Sequence, residues 1–357
     1  MNSIQRVLAA LTFGKSQHGK PDRVPCLPVP LMQGALVYQC SVKEYFDMPA
    51  RKIAHAQVQL NKLFDEIPDA VAGVPNVIEG ATGLGAELTY PFPNSTPTLA
   101  GMVIRDFKDI LTLKPRSWQA SAQLRKTRDI IATLADHIGG EKVVIGVSVA
   151  PFSLPSLLMG TEGWMRLLLT PEHRRQYLQP ILKICKTFVI EWCHAQLAAG
   201  AHVVVLADGM ASATMLPRDV FQQYAKPVIQ ETIRAIKGLV VYEAVGRTQP
   251  IIDLCGDLGA AALLIGEEDD VPTCKAALKG QAALIGNINN MKMRRWSPAR
   301  VEMTAKRALR HGMPGYGFAL ANQGPEIPFD TSVDSIRALV EAVVKYGQYP
   351  QTQTKAA

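Results

Sequence analysis

The chain has 357 residues, 48% hydrophobic and 19% charged, with 38 Lys and Arg against 31 Asp and Glu for a net charge of +7. This composition supplies a large core and excludes an extended disordered chain. The basic residues are scattered apart from Lys292, Arg294 and Arg295, which points to a solvated basic face, or to attraction of an anionic ligand or acidic partner, and away from a nucleic-acid surface.

Helical periodicity begins at once, with Ile4, Val7, Leu8 and Leu11 on one face. The proline-rich segment PDRVPCLPVPL follows, with Val24, Cys26 and Leu27 as a first strand. Ser41 and Glu44 form a capping box for a helix expected from Ser41 to Phe64. Asp69 to Val74 reads as a short strand. The Gly- and Pro-rich stretch from Pro75 to Gly101 reads as a hairpin or lid over one end. Further strands are expected at Lys142–Val149, Ala201–Ala207, Leu239–Tyr242, Ala260–Ile265, Ala282–Ile285 and Tyr316–Leu320. Helices fill the gaps: Ser117–Gly139, Glu162–Leu169, Pro171–Ala199, Pro217–Ile236, Thr248–Leu258, Thr273–Lys279 and Pro298–His311. Apolar strands alternating with helices imply a parallel sheet covered on both faces. Eight strands fit a closed α/β barrel, a (β/α)8 TIM barrel with an N-terminal helical extension, forming one domain over residues 1–357. An open doubly wound sheet is the alternative, but no G-x-G-x-x-G follows the first strand to support a dinucleotide site.

Six cysteines, with no CxxC pair, do not look like a disulfide framework in a chain this large. No apolar run approaches the ~20 residues of a membrane span. The N-terminal apolar run is too short for a signal-peptide core, so a cytoplasmic protein is expected.

In a barrel the chemistry collects where strands run out into their following loops. Those positions hold Met32 and Gln33, Asn76 and Glu79, Ser148 with Ser153, Asp208, Glu243 with Arg247, Glu267 to Asp270, Asn287 and Asn289, and finally Asn322, Gln323 and Glu326. The ring is rich in carboxylates and amides. It holds no histidine, and no cysteine apart from Cys26. Asp208 and Glu243 are the candidate catalytic groups, because a carboxyl in such a mouth can act as acid or base. Gln33, Asn76, Glu79, Ser148, Arg247, Asn287, Asn322 and Gln323 are the candidate substrate contacts. Structural alternatives stand beside each. Asp208 could cap a turn, Glu243 could pair with Arg247, the asparagines could tie down loops, and Glu267 to Asp270 could be a solvated charge run.

Several segments together resemble the uroporphyrinogen decarboxylase superfamily, whose members include corrinoid-dependent methyltransferases. RVLAAL with PDRVPCLP resembles the family's opening, LGAELTYP the segment after its second strand, and VSVAPFSLPSLLMGTEGWMRLLLTPE its PFTLA-type stretch. AGAHVVVLADGMASATMLPRDVFQQYAKP and LIGNIN match in the same order. The resemblance implies a (β/α)8 barrel. The decarboxylase branch carries an arginine-rich motif after the first strand to hold porphyrinogen carboxylates. This chain reads PVPLMQGALVYQC there, with no arginine. The thiol-methylating branch carries H-x-C at the end of the fifth strand and a cysteine after the eighth, which hold zinc. Here those positions are Glu243-Ala244-Val245 and, near the third, Pro325. Neither zinc nor a thiol acceptor is therefore expected. The resemblance implies methyl transfer between a cobalamin carried by a partner corrinoid protein and a non-thiol, aromatic or phenolic or otherwise apolar methoxyl substrate. A decarboxylase of a smaller acid and a non-catalytic binding subunit are the alternatives. The resemblance also allows a homodimer, while the sequence itself does not give the oligomeric state.

Overall fold

The computed structural model describes residues 1–114 and 117–350; the end of the expected 1–357 domain, residues 351–357, lies outside them. Nine strands occur among the described residues. They are β1 (Ala70–Ala72), β2 (Leu88–Thr89), β3 (Thr98–Leu99), β4 (Val143–Val149), β5 (Val203–Ala207), β6 (Leu239–Glu243), β7 (Ala262–Leu264), β8 (Ala283–Ile288) and β9 (Phe318–Asn322). Seven form one parallel sheet in the order β1-β4-β5-β6-β7-β8-β9, with helices between them.

The segment carrying Cys26 closes this sheet into a barrel. On one side Leu320 N donates to Pro25 O and Leu27 N to Leu320 O, both at 2.8 Å; on the other, Asp69 N donates to Cys26 O at 2.8 Å. The first expected strand is thus present only as a parallel bridge between Cys26 and Leu320. Pro25, Pro28 and Pro30 lack the amide donors a full ladder requires.

Alternation along the strands builds two cores. Val204, Leu206, Val240, Tyr242 and Leu284 face outward and pack under the helices with the large aromatics Trp164, Trp192 and Phe188, and Val144 faces outward into the neighbouring cluster of Tyr45 and Phe46. Ala70, Ala72, Val143, Ile145, Val147, Val203, Val241, Leu264, Ile285, Ala319 and Ala321 face the barrel axis. The buried members of this inner set include no aromatic and no methionine. Val7 of the N-terminal helix, Ser3–Leu11, joins the inner set at the strand starts. That helix carries a complete capping box between Asn2 and Gln5.

Several helices differ from expectation for local reasons. The helix expected over Ser41–Phe64 is two, Val42–Asp47 and Ala50–Leu63. Pro49 forces Met48 into an extended conformation (ψ 158°), so the first helix stops there; the Ser41–Glu44 capping box is present. The helix expected from Glu162 begins at Leu154, with Gly160 at φ 78° inside it. A C-terminal helix, Val333–Tyr346, was not foreseen; it packs against Pro298–Gly312. Within Pro75–Gly101, β2 and β3 form the expected antiparallel hairpin. No helix among the described residues is long and apolar enough to cross a membrane.

Candidate functional site at the barrel mouth

The backbone ladder runs one residue past the ends of β5 and β6. Asp208 N donates to Glu243 O at 2.7 Å, and Val245 N to Asp208 O at 3.2 Å. The chain then turns at Gly246, whose φ of 117° and close neighbour Thr214 Oγ1 leave no room for a side chain. The two carboxylates lie side by side in the sheet yet face different layers.

Glu243 follows Val241 onto the axis. It is buried, its Oε1 has no partner, and it lines a cavity running along the barrel interior. Burial pushes its carboxyl up to about 7, opposed by the Gly324 backbone amide. Arg247 does not pair with it; that side chain is exposed and lies 3.6 Å from Glu268. Asp208 is wholly buried in the outer layer. Its Oδ1 accepts the hydroxyl of Ser153, and its Oδ2 accepts Tyr242 OH at 3.3 Å. Burial raises it to about 7, against the hydrogen bonds from Ser153, Tyr242 and Ala211. Ser153 Oγ also accepts Met210 N at 2.8 Å, so Asp208 holds the loop after β5 in place through Ser153.

A second cavity opens at the mouth. Asn76 and Val77 line it from the loop after β1, Thr96 and Pro97 from the hairpin, Ser153 and Met210 from the loops after β4 and β5, and Val245, Pro325 and Glu326 from those after β6 and β9. No lysine, arginine or histidine is among its lining residues. Pro325 borders both cavities. Around this mouth several buried polar atoms are unpartnered: both side-chain polar atoms of Asn76, and Oε2 of Glu326, whose carboxyl burial raises to about 7. Such orphans are uncommon in folded proteins. Glu79 lies deeper. Thr127 donates to its Oε1, its Oε2 is unpartnered, and burial raises it to about 8 despite the hydroxyl and nearby Lys126.

The remaining sequence candidates sit elsewhere. Ser148 faces the helical layer and donates to Val149 O at 3.1 Å. Gln33 donates to Ile327 O and Pro328 O, with its Oε1 unpartnered. Asn322 accepts Val29 N at 2.9 Å and donates to Gln323 O and Gly324 O. Gln323 Oε1 accepts Glu267 N at 2.5 Å. Asn287 donates to Gly266 O and Asp269 O. These four fasten loops to one another. Thr96, Pro97 and Met210 line the mouth but carry no charge, so nothing in the sequence singled them out; Val245 was noted only as the residue at a lost zinc-ligand position.

The residues do not suit a transition metal. Of the three positions at which the resembled thiol-methylating branch would hold zinc, Val245 and Pro325 offer no donor and Glu243 alone remains, and no group of three His, Cys, Asp or Glu side chains among the described residues is placed to hold an ion.

Comparison with known proteins agrees with the fold. The chain is 25% identical over 224 residues to the methylcobamide:CoM methyltransferase MtaA of Methanosarcina barkeri, a match covering 61% of this chain and 62% of that protein. It is 28% identical over 304 residues to the uroporphyrinogen decarboxylase of Chloroflexus aggregans, covering 82% of each. A solved methyltransferase from Methanosarcina mazei superposes with a TM-score of 0.82 at 22% identity, covering 97% of this chain and 99% of that one. The family model described as uroporphyrinogen decarboxylase (URO-D) matches residues 4–346, so the chain belongs to the uroporphyrinogen decarboxylase family and folds as its (β/α)8 barrel.

Proposed function

We propose that this protein transfers a methyl group between a cobalamin carried by a partner corrinoid protein and an uncharged, non-thiol substrate, an aromatic or other apolar methoxyl compound or phenol. The observation that carries this reading is Glu243: a buried carboxyl at the end of β6, raised to about 7, with one oxygen unpartnered and a cavity in front of it. It stands where the thiol-methylating relatives would place a metal ligand. The corrinoid, when present, supplies the centre that gives or takes the methyl group.

The work left to this chain is proton transfer. When an ether gives up its methyl group, the C–O electron pair stays on oxygen, and Glu243 in its acid form supplies the proton. In the reverse direction its carboxylate takes the proton from the hydroxyl. A group near neutrality does both. Asp208 is a positioning residue: through Ser153 it fixes the loop that carries Met210 into the mouth. The cation-free lining favours an uncharged substrate over a polycarboxylate.

The test mixes the purified chain with free reduced cobalamin and either a methoxylated phenol or a straight-chain methyl ether, and follows the corrinoid absorption. A methyl-dependent spectral change that disappears in Glu243→Gln is expected. No change with any apolar methoxyl compound, or carbon dioxide release from a small acid without cobalamin, overturns the proposal. The decarboxylase reading is kept as that second outcome because of the 28% identity to a uroporphyrinogen decarboxylase.

A further inference from the structure

The interiors of eight-stranded barrels are ordinarily filled by layers of bulky side chains. This one is not. On β4, outward-facing Val144 has no exposure, whereas inward-facing Ile145 and Val147 each retain 9%. On β5, Val204 and Leu206 have none, whereas Val203 retains 7% and Val205 more. Leu264 on β7 retains 8%. Residues in the middle of the sheet touch empty space on the axis side only. The reason is composition, since Ala70, Ala72, Ala262, Ala283, Ala319 and Ala321 stand in the buried inner set where barrels ordinarily carry bulkier branched side chains.

The space is a cavity of about 80 Å³ that runs from Val143 and Val203 at the strand starts to Val241 and Glu243 at the strand ends. Four residues of tilted strand make this path roughly 10 Å long. Its walls are apolar apart from His202 at the strand starts, and among the described residues the one carboxyl that lines it is Glu243 at the upper end, beside Gly324 and Pro325. An apolar cavity stays dry and takes up apolar guests. A dry void also costs its lining the dispersion contacts that a guest would restore.

We propose that the barrel axis is a binding site for an unbranched, uncharged hydrocarbon chain whose single hydroxyl or ether oxygen meets the Glu243 carboxyl. About 80 Å³ spread along roughly 10 Å of axis is a narrow slot, which suits a straight chain better than a ring. With its chain along the slot, a ligand carboxylate at the upper end would meet Glu243, where no cation lines the cavity among the described residues; His202 lies at the opposite end. A hydroxyl suits the protonated carboxyl, which both donates and accepts. This deepens the reading above by naming the apolar part of the substrate, and rests on it only for the claim that the occupant is a substrate.

Two measurements on the full chain, without corrinoid, test it. Xenon-129 NMR under xenon pressure should show uptake by the wild type. Titration calorimetry should show saturable binding of 1-hexanol, with hexanoate weaker by about tenfold or more. Val205→Phe places a ring in the slot and should abolish both signals; Ala321→Leu is the milder variant should the first not fold. No xenon uptake by the wild type, hexanol binding that survives both fillers, or hexanoate or hexylammonium binding tighter than hexanol would each overturn the proposal. Hexanol binding without any methyl transfer would sink the proposed function alone. Methyl transfer by a chain that binds neither xenon nor hexanol would sink this inference alone.

Discussion

The two ends of the barrel treat buried charge in opposite ways. At the strand starts, Asp69 is wholly buried and fully engaged. Its carboxylate accepts Arg6 at 2.6 Å, Arg23 at 2.8 Å and the Cys26 backbone amide at 2.9 Å. Arg6 in turn bonds Asp22 at 2.6 Å and the Met1 carbonyl at 2.8 Å. Every charge there has an opposite partner, and the network ties the N-terminal helix, the closing segment and β1 together. At the strand ends Glu79, Glu243 and Glu326 each keep a buried oxygen without a partner, and Asn76 keeps two unpartnered atoms. Their carboxyls answer burial by moving up toward neutrality, since among the described residues no cation stands beside them to hold the charge except Lys126 near Glu79. Pairing that holds the barrel shut is gathered at one end. Proton-binding capacity left open is gathered at the other, as expected where a barrel divides stability from chemistry.

The comparison breaks most visibly on activity. Glu243→Gln keeps the shape and removes the titrating proton, so methyl transfer should fall by about 10²–10⁴ while the fold is kept. Steady-state rates beside a thermal melt check both halves; a variant with more than half of wild-type turnover removes Glu243 from the mechanism. In the wild type, demethylation should fall as pH rises through about 7 and the reverse reaction should fall below it, because the first needs the acid and the second the base.

The opposite end should show the opposite pattern. Asp69→Asn leaves Arg6 and Arg23 buried without their shared anion, so stability should drop by about 3–5 kcal/mol. Activity per folded molecule should be unchanged. Chemical denaturation with activity measured well below the transition separates the two, and a variant as stable as the wild type would show that the network at the strand starts does not hold the barrel shut.

What the sequence made legible was the position of strand ends, not the layer a side chain enters. Val241 and Glu243 share the inner face because they are two positions apart, and the same count puts Ser148, one position from Val147, into the helical layer. Asp208 lies just past Ala207, so its carboxyl enters the outer layer and meets Tyr242. Asn322 was readable as the end of β9, but its bond to Val29 depends on a proline-rich segment nearly three hundred residues away. The fold was readable because long apolar strands and amphipathic helices repeat. The closing strand was the weakest element, since its prolines replace a ladder with a single bridge.

The pH dependence of stability sharpens the contrast further. Glu243, Asp208, Glu79 and Glu326 all have carboxyls raised on folding. An acid bound more tightly to its proton in the folded state contributes stability that is complete below its unfolded value, about 4, and lost as pH rises through the folded value. Stability should therefore decline between pH ~4 and ~8, and Glu243→Gln should remove a share on the order of 1–3 kcal/mol of that decline. Denaturation midpoints at a series of pH values read this directly. A profile of unchanged slope in the variant would mean that Glu243 ionises in the folded protein as easily as in the unfolded chain.

The smallest effect expected is at Asn76. Neither polar atom of its buried side chain is bonded, so the folded protein carries the desolvation of an amide with nothing in return. Replacing a buried unsatisfied group by an apolar one of similar shape is neutral or stabilising. Asn76→Leu should therefore raise stability by up to about 1 kcal/mol and weaken substrate binding, seen as a higher KM with kcat nearly unchanged. An amide that instead fastened the loop after β1, as Asn322 fastens the segment at Val29, would give the reverse sign, a less stable variant with its KM untouched.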